Sequence, residues 1–327
     1  MARVLIALLV FSLAACQPRL RLPGEPVAPP RLTAAAYIAA DGARLPLRVW
    51  LPEGRPKAVL VALHGFNDYS NAFEEPAAFW AQKGIATYAY DQRGFGETEH
   101  RGEWSGIAAM ANDLRAVSRL VRAKHAPIPL YLLGISMGGA VAMVALTGAD
   151  PPQAEGVVLA APAVWGRRHM NVFQRAALWL TAHTVPWLRL TARGLGIKPS
   201  DNTEMLRALG RDPLVIKETR IDTIWGLANL MDAAFDSAPK LTGRALILYG
   251  ANDEVVPKDP TVEMIRRLPR AASARQRVAM YEEGFHMLLR DLQANAVLSD
   301  IIAWIEDAAK PLPSGADERA RERLATK

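Results

Sequence analysis

Residues 129–146 read Pro129-Leu130-Tyr131-Leu132-Leu133-Gly134-Ile135-Ser136-Met137-Gly138-Gly139-Ala140-Val141-Ala142-Met143-Val144-Ala145-Leu146. The apolar run 129–133 has the length of a strand buried on both faces, and the run 139–146 is small and helix-competent. Between them lies Gly134-Ile135-Ser136-Met137-Gly138, of the form Gly-x-Ser-x-Gly. In that form a strand enters a helix through a turn so sharp that only small side chains fit around the serine, which leaves its hydroxyl exposed. The stretch predicts a strand–turn–helix unit with Ser136 at its apex.

The same alternation continues on either side. Residues 37–51, with Asp41-Gly42 as the turn, read as an opening hairpin. Short apolar runs at 58–63, 85–90, 156–161, 245–249 and 277–281 read as further strands. Residues 107–123 have helical spacing and 287–308 read as a closing helix. Strands alternating with helices predict an α/β fold with a mostly parallel central sheet flanked by helices. Residues 36–163 and 241–309 form its core. Between 164 and 240 the alternation stops in favour of segments rich in Trp, Leu and Arg, which read as an inserted helical cap. Residues 310–327 are polar after Pro311 and Pro313 and read as a frayed tail.

Composition narrows the function classes. Of the 327 residues 50% are hydrophobic and 22% charged, enough apolar material for a large core. The net charge is +6, yet no Lys/Arg run or aromatic–basic interleaving marks a nucleic-acid module, so nucleic acid is not an expected partner.

A serine hydroxyl is a poor nucleophile until a base takes its proton, and a carboxylate must orient that base. His286, in Gly284-Phe285-His286, follows a predicted strand. Asp253, in Gly250-Ala251-Asn252-Asp253, follows another. Ser136, Asp253 and His286 therefore stand in the order, and at the strand ends, that a triad on an α/β sheet uses. Charge developing on the substrate oxygen needs fixed donors. The backbone N–H of Met137, next after the serine, and that of Phe66, in His64-Gly65-Phe66 after strand 58–63, are the candidates. His64 reads as a structural histidine of that loop. No metal or organic cofactor is implied.

These motifs, with Asp91-Gln92-Arg93-Gly94-Phe95-Gly96, resemble the monoacylglycerol lipase and lysophospholipase group of α/β hydrolases across residues 36–308. Phe95 replaces a frequent histidine of that group, and Ile135 a frequent His or Glu. The resemblance implies a serine hydrolase that cleaves lipid esters through an acyl-serine, with Asp91 and Arg93 bracing the loop beneath the site. Prolyl aminopeptidases share the fold, but the resemblance implies that they hold the substrate amine with cap carboxylates. Residues 165–220 carry ten Lys/Arg against four Asp/Glu. An aminopeptidase or an acyltransferase of the same fold, or a non-catalytic lipid-binding lipoprotein, remain the alternatives. Dehalogenases and epoxide hydrolases of this fold use an aspartate nucleophile, which Ser136 replaces.

The amino terminus adds a location. Arg3, an apolar run over 4–15 and Leu13-Ala14-Ala15-Cys16 resemble a bacterial lipoprotein signal with its lipobox. The run is shorter than the ~20 residues a spanning helix needs, so cleavage is expected. The resemblance implies that residues 1–16 form the signal, with Cys16 as the lipidated mature N-terminus. An ordinary secretory signal is the other reading. Gln17 after it resembles lipoproteins of the outer membrane of the cell envelope. Cys16 is the only cysteine, so no disulfide forms within one chain. Residues 17–35, with Pro18, Pro23, Pro26, Pro29 and Pro30, read as an extended tether, at about 3.1 Å per residue. The cap adds Trp165, Phe173, Trp179 and Trp187 to its cations. Either the rings pack the cap onto the core or they meet a membrane surface at headgroup level.

Overall fold

Every residue of Ala58–Leu63 is buried, and the six divide between two layers. Val59, Val61 and Leu63 join one apolar cluster, while Ala58, Leu60 and Ala62 join the other. Successive side chains of a strand point to opposite faces, so a continuous apolar run marks a strand covered on both sides. Each fully buried Val or Leu contributes about 1.5–3 kcal/mol relative to exposure.

A computed structural model describes residues 17–325 except 192 and 195. Cys16 and the signal lie outside the described residues. Nine strands form one sheet: β1 (Arg31–Leu32), β2 (Ala36–Ile38), β3 (Arg44–Trp50), β4 (Ala58–Leu63), β5 (Ile85–Tyr90), β6 (Leu130–Ile135), β7 (Gly156–Ala160), β10 (Ala245–Gly250) and β11 (Gln276–Tyr281). Two more, β8 (Arg189–Leu190) and β9 (Thr219–Arg220), pair as a separate antiparallel ribbon. The order is β1-β2-β3-β5-β4-β6-β7-β10-β11. Strands β5 to β11 of that order run parallel, and β1 to β3 pair antiparallel at one edge. Helices α1 (Glu74–Gln82), α2 (Ile107–His125), α3 (Met137–Thr147), α4 (Val172–Thr184), α5 (Thr203–Arg211), α6 (Ile221–Ser237), α7 (Lys258–Arg266), α8 (Ala294–Glu306) and α9 (Ala316–Ala325) complete the fold.

Four expectations change. The proline-rich segment does not stand away from the body. Arg21 N–H donates to Trp104 O at 2.7 Å, Val27 N–H to Ala40 O at 2.7 Å, and β1 joins the sheet. Prolines lack a donor, but the residues between them keep theirs and spend them on the body's carbonyls. The stretch between β7 and β10 is not wholly helical, since β8 and β9 interrupt it. The closing helix starts at Ala294, because residues 287–293 are used in turns behind His286. The polar tail carries α9, whose Ala316 and Ala320 are fully buried and whose Asp317 pairs with Arg277 at 3.2 Å.

Candidate active site

Ser136 sits between β6 and α3 with φ 50° and ψ −113°, a backbone conformation that costs an L-residue energy and is held by its surroundings. Its N–H donates to Ala160 O at 2.9 Å, and its C=O accepts from Ala163 N–H at 3.0 Å. The flanking glycines are forced by space. A Cβ at Gly134 would lie 2.4 Å from Gly138 O, and one at Gly138 would lie 2.3 Å from Leu63 O. The pentapeptide spacing is thus a packing requirement that presents one hydroxyl at the carboxyl end of the sheet.

Asp253 and His286 meet through a similar close approach. A Cβ at Gly250, the last residue of β10, would lie 2.4 Å from Phe285 O. Asn252 N–H donates to Gly284 O at 2.9 Å. The loops after β10 and β11 are therefore stitched together, which sets His286 Nδ1 2.8 Å from Asp253 Oδ2. The other carboxylate oxygen, Oδ1, accepts the N–H groups of Val255 and Val256 at 2.8 and 2.9 Å. With both oxygens engaged, the carboxylate has one orientation, and it fixes which imidazole nitrogen carries the proton. Nε2 is left for chemistry.

Ser136 and His286 line one cavity of about 380 Å³. The Ser136 hydroxyl makes no hydrogen bond among the described residues. Apo sites often close that bond only with substrate present. The rest of the lining is mostly apolar: Ile135, Trp165, Met170, Leu209, Val215, Ile224, Leu227, Met231, Val255 and Val256. Most of these come from the segment between β7 and β10. Asn67, Asp68 and Arg290 add polar groups to the lining, where Arg290 pairs with Asp68. A wider groove of about 760 Å³, lined by Arg244, Arg275, Arg277 and Arg321, shares no residue with this cavity.

The loop after β4 passes beside the serine, since a Cβ at Gly65 would touch Ser136 Cβ at 3.6 Å. Neither Phe66 N–H nor Met137 N–H is donated to another group among the described residues. His64 is fully buried. It accepts Gln92 N–H on Nε2 at 2.9 Å, so Nδ1 carries the proton and donates to Gly65 O at 2.8 Å. Burial pushes its pKa below the ordinary histidine value, so it is a neutral brace for the loop. Phe95 packs edge-on against both His64 and Phe66. Asp91 accepts Ser70 N–H and Glu97 N–H, each at 2.9 Å, and Arg93 bridges Asp113 and Asp41 at 2.6 and 2.7 Å.

With that geometry in view, a family model described as "Serine aminopeptidase, S33" matches residues 54–293. The chain belongs to this family. Among relatives of the S33 chain, the monoglyceride lipase of Homo sapiens is 27% identical over 280 residues, which cover 82% of this chain and 88% of that protein. The monoacylglycerol lipase of Mycolicibacterium smegmatis is 25% identical, covering 83% and 95%. A soluble variant of the monoglyceride lipase of Saccharomyces cerevisiae shares the fold with TM-score 0.71 at 21% identity, covering 88% of this chain and 99% of that one.

Sequence reasoning missed several residues around this S33 site. Asn67 and Asp68 directly follow His64-Gly65-Phe66, and Arg290 and Asp291 stand four and five residues after His286. Proximity to a motif was the only signal. Of the four aromatics noted between β7 and β9, Trp165 faces the cavity, whereas Phe173, Trp179 and Trp187 are exposed.

Proposed function

We propose that the protein is a lipid-ester hydrolase that works through an acyl-Ser136 intermediate. The observation that carries this reading is the joined Asp253–His286 pair opening, with Ser136, into a cavity walled by apolar side chains. His286 Nε2 takes the Ser136 proton as Oγ attacks the carbonyl carbon. The oxyanion forms against the N–H groups of Phe66 and Met137, and collapse breaks the bond to the alkoxide, which leaves with the proton from His286. His286 then deprotonates water, which attacks the acyl carbon and releases the fatty acid and free Ser136. The relatives named monoglyceride or monoacylglycerol lipase support a monoacylglycerol, or a lysophospholipid of similar shape, as substrate.

An aminopeptidase would need a free carboxylate for the substrate ammonium. In the cavity lining the carboxylate of Asp68 is already paired with Arg290, which favours a neutral alcohol beside it.

We further place the enzyme on a membrane. Val172, Phe173, Trp179, Leu180, Trp187, Leu188, Leu190 and Ile197 are all exposed, interspersed with exposed Arg175, Arg189 and Arg193. Rings and aliphatic chains beside cations suit an anionic lipid surface. Lipidation of Cys16 and residence in the outer membrane of the cell envelope belong to the same reading. No helix among the described residues is long and apolar enough to cross a membrane.

The test is labelling of the detergent-solubilised full chain with a fluorophosphonate, beside Ser136→Ala. A panel of monoacylglycerols, lysophospholipids and aminoacyl amides is assayed in parallel. Labelling that Ser136→Ala abolishes, with turnover of the lipid esters, is expected. A folded wild-type chain that neither labels nor turns over any ester overturns the reading in favour of lipid binding without catalysis. Turnover only when a second alcohol is supplied would instead make it an acyltransferase.

A further inference from the structure

The catalytic pair leaves one buried carboxylate beside it unused. Asp291 is 4% exposed and stands five residues after His286, and its carboxylate accepts two hydrogen bonds. Its Oδ2 accepts the N–H of Phe285, the residue before His286, at 2.8 Å. Its Oδ1 accepts the hydroxyl of fully buried Ser200 at 2.6 Å. Ser200 belongs to the segment between β7 and β10, 91 positions away in sequence. We propose that Asp291 is a positioning residue for the base, locking the His286 loop to the inserted segment through Ser200. The proposal rests on the reading of His286 as the base.

Neighbouring bonds make the same join. Met287 N–H donates to Pro199 O at 3.0 Å, Leu292 N–H to Asp201 Oδ1 at 2.9 Å, and Asn202 Nδ2 to Arg290 O at 3.0 Å. Lys198 N–H donates to Glu254 Oε2 at 2.7 Å, one residue beyond Asp253. Five consecutive residues, 198–202, thus grip the loops of both the acid and the base, although they belong to no helix or strand. The exposed apolar residues Val172, Phe173, Trp179, Leu180, Trp187, Leu188, Leu190 and Ile197 all precede this anchored stretch in the insert.

The two carboxylate oxygens receive both donors from one position, and these bonds offset the cost of burying the group. Burial raises the Asp291 pKa, against the two hydrogen bonds that favour the charged form. The Phe285 N–H adjoins His286 in the chain, so its bond sets the height and tilt at which the imidazole meets Ser136. Misplacing a catalytic group by about 1 Å costs on the order of 10²-fold in rate.

The experiment uses the detergent-solubilised full chain and a soluble short-chain ester, comparing wild type, Asp291→Ala, Asp291→Asn and Ser200→Ala. Each is assayed for kcat, KM and the rate of fluorophosphonate labelling, with folding checked by circular dichroism. Asp291→Ala is expected to lower kcat and the labelling rate together by about 10- to 100-fold, with KM within about threefold. Asp291→Asn keeps an acceptor for Phe285 N–H and a donor towards Ser200, and should rescue kcat to within about threefold of wild type. Ser200→Ala, which leaves the Phe285 bond, should fall between them. A folded Asp291→Ala with wild-type kcat, or with a changed KM alone, overturns the proposal. So does Asp291→Asn as damaging as Asp291→Ala, since charge and not positioning would then matter. Should Asp291→Ala fail to fold, an unchanged kcat in Ser200→Ala overturns the proposal and a reduced one supports it. A wild-type chain without activity would instead refute the hydrolase reading itself, so the two failures are distinguishable.

Discussion

Replacing Gly250 by alanine tests whether the Asp253–His286 pair depends on the contact between its two loops. The new Cβ would lie 2.4 Å from Phe285 O and 2.5 Å from Gly284 O. Ordinary contact distances are roughly 3.5 Å, so the loop carrying His286 must retreat by about 1 Å. Asp253 cannot follow it. Val255, Val256 and its own N–H bond to Gly250 O at 3.1 Å hold it to the other loop. The 2.8 Å bond between His286 Nδ1 and Asp253 Oδ2 would then stretch beyond hydrogen-bond range. Two effects are expected. Overpacking should cost about 1–3 kcal/mol and lower the melting temperature by several degrees. On the proposed mechanism, displacing His286 should reduce kcat and fluorophosphonate labelling by about 10²-fold, more than that stability loss alone would explain. Thermal melts by circular dichroism and active-site titration of the folded fraction measure the two separately. A folded Gly250→Ala chain with kcat within twofold of wild type would refute the reasoning.

Asp253→Asn keeps the volume but not the proton arrangement at His286 Nδ1, so kcat should fall by about 10⁴-fold with folding intact; a loss below tenfold would remove Asp253 from the triad. Because burial depresses the His64 pKa, the unfolded chain takes up a proton near pH 6.5 that the native chain refuses. Stability should then fall as pH drops from 7 through that value, by up to about 1.4 kcal/mol per pH unit. His64→Gln should melt with a shallower pH dependence, and equal slopes would contradict the assignment. Deleting residues 310–327 strips the buried Leu312, Ala316 and Ala320 and the Asp317–Arg277 bridge. Urea melts should show a loss of about 2–4 kcal/mol, from the Leu burial and the smaller contacts together; an unchanged midpoint would make α9 dispensable. Phe173, Trp179 and Trp187 changed together to serine should weaken partition to anionic vesicles at least about tenfold while sparing turnover of a soluble ester. Equal partition would remove these rings from the membrane reading.

What the sequence determined by itself was local or periodic. Two-sided burial of β4, β6 and β10 shows as continuous apolar runs, because a strand flanked by helices on both faces has no polar side. The turn at Ser136 shows because Gly134 and Gly138 have no room for a Cβ. That Asp253 and His286 meet was legible because strand ends bring loops to one edge of a parallel sheet whatever the details of packing. Other features were decided only by tertiary structure. The proline-rich segment and α9 lie on the body through bonds and apolar contacts whose partners no local pattern announces. Trp165 lines the cavity while Trp179 and Trp187 face outward, and composition could not divide them. Asp291 looked like any acid after a turn until folding set Ser200 beside it, and Asn67 gained Thr219 across 152 positions. A side chain's partner far along the chain depends on how whole elements pack, and that information is spread over the entire sequence instead of any motif within it.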